Sequence, residues 1–171
     1  MKVFSLSFCA VLLMFFLGGC FSLRYDVKGG ATIDPKIKTL SVQFFNNRAN
    51  RINPTLSQIF TDGLKAYMES NTSLRRINTM GDVDFAGEIN KYEIVSVGVV
   101  AGDVAAQTRF TIAVRVKFTN AVNPKNSYDT SFTGYRNFDS KQNFADVENS
   151  LAKEILDEII EQIFNKAFVN W

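Results

Sequence analysis

The sequence contains no histidine. The commonest general base and the commonest metal ligand are therefore missing. A Ser-His-Asp triad is excluded, as is a zinc site of the usual kinds. Cysteine is nearly absent too, with Cys9 and Cys20 the only two. Cys9 falls inside an N-terminal apolar run and Cys20 closes it, so a chain cut before Cys20 and acylated there has no free thiol for a disulfide or a thiolate metal site. Such a chain holds its fold by packing alone. Charge of one sign is also lacking. Of 19 basic residues, removing Lys2 leaves 18 against 17 acidic ones, a net of +1. Bulk electrostatics thus argues neither for nor against a nucleic-acid partner, and any electrostatic function must come from a local patch.

What is present begins with an address. Lys2 is the only charge before Arg24, and Val3 to Leu17 is almost wholly apolar. A membrane-spanning helix needs about 20 apolar residues, and this run stops short at Leu17-Gly18-Gly19-Cys20. Small residues before a cysteine suit a peptidase pocket that refuses bulk, and the thiol can then accept lipid. The pattern reads as a lipobox, with residues 1–19 a lipoprotein signal peptide and Cys20 the lipidation site. Residues 20–35 read as a tether, with Gly29-Gly30 flexible and Asp34-Pro35 a turn before order begins. Residues 36–171 read as one domain of ordinary size. Phe21 follows the cysteine; in the enterobacterial sorting rule an aspartate there retains a lipoprotein in the inner membrane, so its absence favours the outer membrane.

Within the domain, Leu40, Val42 and Phe44 alternate with Thr39, Ser41 and Gln43, predicting a strand over 39–45. Asn53-Pro54 predicts a helix start, and Leu56, Ile59, Phe60, Leu64 and Tyr67 predict an apolar stripe that fades near Ser70-Asn71. Gly63 lies on that stripe, either for close approach or merely tolerated. Val83, Phe85 and Ile89 alternate, then the phase changes around Lys91-Tyr92, which predicts a bulge. Ala101-Gly102-Asp103 reads as a turn. In the next strand Phe110, Ile112, Val114, Val116 and Phe118 face one way, while Arg109, Thr111, Ala113, Arg115 and Lys117 face the other. Tyr128 to Tyr135 reads as a more polar edge strand after the turn at Asn123-Pro124. A long helix is expected from about Asn143 to Val169, its apolar stripe wide enough for more than one contact surface. The fold class is therefore α+β: two helices on one small mixed sheet of about four strands, in the order β-α-β-β-β-α.

These blocks resemble the LPS-assembly lipoprotein family, LptE. The resemblance runs from Cys20 to Trp171. It rests on Gln43-Phe44-Phe45-Asn46-Asn47-Arg48-Ala49, Asn53-Pro54-Thr55-Leu56-Ser57, Thr111 to Phe118, Tyr135-Arg136-Asn137-Phe138-Asp139-Ser140 and Ile163-Phe164-Asn165-Lys166. It implies a non-enzymatic outer-membrane lipoprotein without cofactor. Such a protein is held to the membrane by its lipid, sits partly inside the lumen of an LptD-type β-barrel as plug and assembly partner, and helps insert lipopolysaccharide into the outer leaflet. No nucleic-acid partner is expected. A periplasm-facing adaptor that activates a peptidoglycan synthase or pilots a secretin remains the alternative. From the residues alone, Arg109, Arg115 and Lys117 are candidates for lipopolysaccharide contact, with Arg48 and Arg51 a second group; ordinary solvated charge is the competing account. The paired carboxylates Asp82 and Asp84, and Glu154 with Asp157-Glu158, read as solvated charge rather than acid–base chemistry.

Overall fold

The computed structural model describes residues 33–51, 53–97 and 106–169. Cys20, the apolar run before it, most of the tether and the expected turn at Ala101-Gly102-Asp103 lie outside the described residues. Four main strands and two short ones form a single mixed sheet. They are β1 (Thr39–Val42), β2 (Asn46–Asn47), β3 (Arg75–Arg76), β4 (Val83–Val97), β5 (Gln107–Asn120) and β6 (Tyr128–Asp139). The helices are α1 (Leu56–Asn71) and α2 (Phe144–Phe168). The sheet runs β3-β1-β4-β5-β6, with β2 paired to β4 beyond the end of β1. Strands β1 and β4 are parallel, while β4-β5-β6 is an antiparallel meander.

The alternation read from β5 decides which face is wet. Phe110, Ile112, Val114, Val116 and Phe118 are all buried against the helices. Phe118 meets Phe85 at 4.9 Å and Phe168 at 6.2 Å between ring centroids, and Phe110 meets Phe144 at 5.1 Å. Edge-to-face and tilted pairs such as these add to the gain from buried area. On β4 the inward set is Phe85, Gly87 and Ile89, opposite Phe118, Val116 and Val114. The register shifts between Ile89 and Lys91, after which Tyr92 and Ile94 oppose Ile112 and Phe110. Asn90 is thus the extra residue of a bulge, and inward positions change from odd to even across it. The phase change visible in the sequence is this bulge.

Helix α1 buries Leu56, Phe60, Leu64 and Met68, with Phe60 edge-on to Phe45 at 5.0 Å. Ile59, expected on the buried stripe, is exposed instead. Asn53 is not the capping residue either; Thr55 holds that place. The Asn53 side chain folds a turn just ahead, its Oδ1 accepting from Thr55 N at 3.1 Å and its Nδ2 donating to Glu148 Oε1 at 2.9 Å. Gly63 does mark a close approach, since a Cβ there would lie 3.1 Å from Ile160 Cδ1 on α2. Helix α2 begins as read, with Asn143 Oδ1 accepting from Ala145 N. Its wide stripe is used within the fold. Gly134 on β6 admits Ile155 and Ile159, while Ile160 and Phe164 turn to Gly63 and Tyr67 of α1.

Both carboxylates of the 82–84 pair are structural, which corrects the expectation of plain solvated charge. Asp84 is buried in β4 and accepts from Ser41 Oγ and, at 2.8 Å, from Gln43 Nε2. Asp82 Oδ2 accepts from the backbone N–H groups of Lys38 (2.8 Å) and Thr39 (2.9 Å), tying down the start of β1. Those bonds hold the Asp82 carboxyl below the usual carboxylate range, the Lys38 bond first. A depressed folded pKa stabilises above the unfolded value and is lost as pH falls through the folded one. Wild-type protein should therefore lose melting temperature more steeply than Asp82→Asn as pH falls below about 4. Thermal melts across the acid range check this, and parallel curves would show that the carboxylate contributes nothing there.

Candidate outward sheet face

Both helices lie on one side of the sheet, which leaves the other side of β4-β5-β6 bare. Its residues follow from register. Ala86, Lys117 and Asp129 form one cross-strand row, and Glu88, Arg115 and Ser131 the next. Lys91, Ala113 and Thr133 follow, then Glu93, Thr111 and Tyr135, then Val95, Arg109 and Asn137. Thr111 and Ala113 are nevertheless buried, so the middle of the face is closed in by its neighbours.

The structure separates the sequence candidates into three places. Arg115 and Lys117 are two residues apart on one face, roughly 7 Å along the strand. Together with Ala86, Gly87, Glu88 and Asp129 they line an open depression. Arg109 shares their face but stands six residues from Arg115, roughly 20 Å away. It is engaged locally, donating from Nε to Asn137 Oδ1 at 3.0 Å, with its guanidinium 4.2 Å from the centre of the Tyr135 ring. Arg51 lies over the Phe144 ring at 5.3 Å, next to the bulge, in a depression shared with Asn50, Asn90, Lys91 and Tyr92. Arg48 is exposed in the segment after β2, where its backbone N–H donates to Ile89 O.

The same register reveals a residue missed in the sequence. Asp129, on β6 opposite Lys117, accepts from Arg115 Nε at 2.8 Å and from Nη2 at 2.9 Å. This two-pronged pairing raises the Arg115 guanidinium and lowers the Asp129 carboxyl, the hydrogen bond being the larger cause in both. An exposed pair of this kind adds little to stability, but it fixes the orientation of the guanidinium. Lys117 makes no salt bridge among the described residues. The depression therefore presents one oriented cation and one without a salt bridge, beside two carboxylates, Glu88 and Asp129, that line it with them. Asp129 lies fourteen positions from Arg115, and only the β5-β6 register brings them together.

The family model described as LptE, lipopolysaccharide-assembly, matches residues 37–167, which is most of the chain and all of its main elements. The chain belongs to the LptE family. The family is one of outer-membrane lipoproteins serving lipopolysaccharide transport and is not a family of enzymes. Among solved structures, a minor lipoprotein from Acinetobacter baumannii is similar at 15% identity and a TM-score of 0.50, over 77% of this chain and 92% of that one. A hypothetical protein from Chlamydia trachomatis is similar at 12% identity and a TM-score of 0.56, over 78% of this chain and 99% of that one. At such identities these likenesses speak for the LptE fold alone. No curated protein matches the chain in sequence. Among the described residues no helix is long and apolar enough to cross a membrane, a statement that does not bear on β-barrels.

Proposed function

We propose that this LptE-family protein is a lipoprotein acylated at Cys20 that assembles with a lipopolysaccharide-exporting β-barrel of the LptD type. It occupies the barrel lumen from the periplasmic side and meets lipopolysaccharide through Arg115 and Lys117. Family membership supports the assembly role. The observation that carries the binding role is the bare sheet face on which an oriented guanidinium and an unengaged ammonium stand one strand repeat apart. Two cations at that spacing can each take an anionic group of one head group, and charge-assisted bonds to phosphate are shorter and stronger than neutral ones. Large outer-membrane barrels carry plugs in their lumen, and several acyl chains on one cysteine hold a protein stably at a membrane.

The test compares binding of the detergent-solubilised lipoprotein to lipopolysaccharide at low and moderate salt, beside recovery of the barrel. Replacing Arg115 and Lys117 together with glutamate should weaken binding by about tenfold or more, as expected for lost charged hydrogen bonds, and the difference should shrink as salt rises. Asp129→Asn should strengthen binding by releasing Arg115 from its counter-ion. Unchanged binding in the double variant rejects this face and directs attention to Arg48 and Arg51. Recovery of a peptidoglycan synthase or a secretin in place of a barrel would instead favour the adaptor reading.

A further inference from the structure

The depression on the outward sheet face carries no net charge. Arg115 and Lys117 line it together with Glu88 and Asp129. The rows on either side do not change this balance. On one side Asp84 is buried and already accepts from Ser41 and Gln43. On the other, Lys91 is paired with Glu93 at 2.8 Å. A site for bare anions gathers cations and keeps carboxylates away, because like charges brought together cost affinity. This depression has as many carboxylates as cations.

The four charges are not equivalent. Arg115 and Asp129 answer each other across β5 and β6 through two hydrogen bonds. Glu88 and Lys117 make no salt bridge among the described residues. Register sets their separation. Glu88 stands opposite Arg115, and Lys117 stands opposite Ala86, two residues along both strands. Glu88 and Lys117 are therefore diagonal neighbours, about 7–8 Å apart at the backbone. A guanidinium has five N–H groups. Asp129 takes two of those on Arg115, and the others make no hydrogen bond among the described residues. The depression thus offers donors from Arg115 and Lys117 and, within the span of one small group, an acceptor from Glu88. Ala86 is too short to fill the space, and about 340 Å³ stays open.

We propose that this depression recognises ethanolamine phosphate, a group that carries both charges on one two-carbon bridge. The phosphate oxygens accept from Arg115 and Lys117, and the ammonium donates to Glu88. Bonds of both kinds are charge-assisted. The proposal rests on the lipopolysaccharide reading above and names the group selected. Glu88 is then the specificity residue, since it attracts the ammonium and repels a bare phosphate, and selectivity comes as much from the repulsion as from the attraction. A decorated lipopolysaccharide and a phospholipid can each carry the group.

The experiment measures binding of the full-length, detergent-solubilised lipoprotein to two matched pairs of probes at low salt. One pair is lipopolysaccharide bearing ethanolamine phosphate and lipopolysaccharide bearing bare phosphate. The other is mixed micelles containing phosphatidylethanolamine or its N-acetylated form, which keeps the phosphate and loses the ammonium charge. The wild-type protein should prefer the ammonium-bearing member by about fivefold, the upper scale for one exposed charge pair, and salt should shrink the preference. Glu88→Gln should abolish it, chiefly by binding bare phosphate more tightly, and Glu88→Lys should reverse it. A general electrostatic effect of Glu88 would instead raise affinity for both members alike and leave the preference in place. Preference within the lipopolysaccharide pair places the recognised group on lipopolysaccharide, and preference within the phospholipid pair alone places it on the phospholipid. Equal binding of both members of both pairs by the wild-type protein overturns the proposal, and this comparison needs no variant to fold. A preference that survives in folded Glu88→Gln and Glu88→Lys proteins overturns it too. Unchanged binding of either lipopolysaccharide after replacement of Arg115 and Lys117 with glutamate rejects the lipopolysaccharide reading of this face instead.

Discussion

Val114→Asp should leave no folded domain to purify. Val114 is fully buried on the inward face of β5, opposite Ile89 on β4 and Phe132 on β6. A carboxylate placed there would stand between apolar neighbours, because Arg109, Arg115 and Lys117 of β5 are on the other face. An unpaired buried charge, or the proton uptake that avoids it, costs several kcal/mol, set against a total stability of about 5–15 kcal/mol for a typical domain. One position on, Arg115→Asp meets solvent; it loses an exposed ion pair with Asp129 and sets a carboxylate opposite Glu88, a cross-strand cost of about 1 kcal/mol or less, so its melting temperature should fall only slightly. Far-ultraviolet circular dichroism and a thermal melt of both proteins check the contrast. Equal damage from both would mean that β5 is buried on its two faces alike.

Gly87→Ala should destabilise the domain by about 3 kcal/mol or more, the upper range for overpacking. An added Cβ would stand 2.0 Å from the backbone oxygen of Arg115 and 2.7 Å from Phe45 Cε1. The oxygen belongs to the central β4-β5 ladder and cannot retreat without opening it. Gly63→Ala provides the comparison. Its Cβ meets only the end of the Ile160 side chain, at 3.1 Å, and alanine in place of glycine favours a helix by up to about 1 kcal/mol. That variant should be near neutral. Urea denaturation midpoints measure both, and a Gly87→Ala midpoint equal to the wild type would show that the strands adjust freely.

The elements legible in the sequence are those whose side chains carry their own period. β5 alternates because one face meets the helices and the other meets solvent, and α2 shows its stripe and its approximate start at Asn143. The bulge was legible because Val83, Phe85 and Ile89 could not be continued in phase through Tyr92. β2 and β3 were not, since two-residue strands exist only through register with β4 and β1. Ile59 lies at the border of the α1 stripe, and only packing decides that it stays outside. The candidate site was half legible. Alternation gave a common face for Arg109, Arg115 and Lys117, but the pairing of Arg115 with Asp129 and the stacking of Arg109 on Tyr135 depend on β6.

The bulge at Asn90 works as a parity change within a single strand. Before it, odd-numbered residues of β4 belong to the core; beyond it, even-numbered ones do, and Val95 comes to lie outside beside Arg109. Lengths on either side are therefore not free to drift by single residues. One residue gained or lost next to Asn90, before Tyr92, would exchange Tyr92 and Ile94 with Lys91 and Glu93, turning that half of the strand inside out. Gains or losses in twos would keep both faces. Evolutionary change in the length of this arm should thus proceed in even steps, unless a second bulge restores the count.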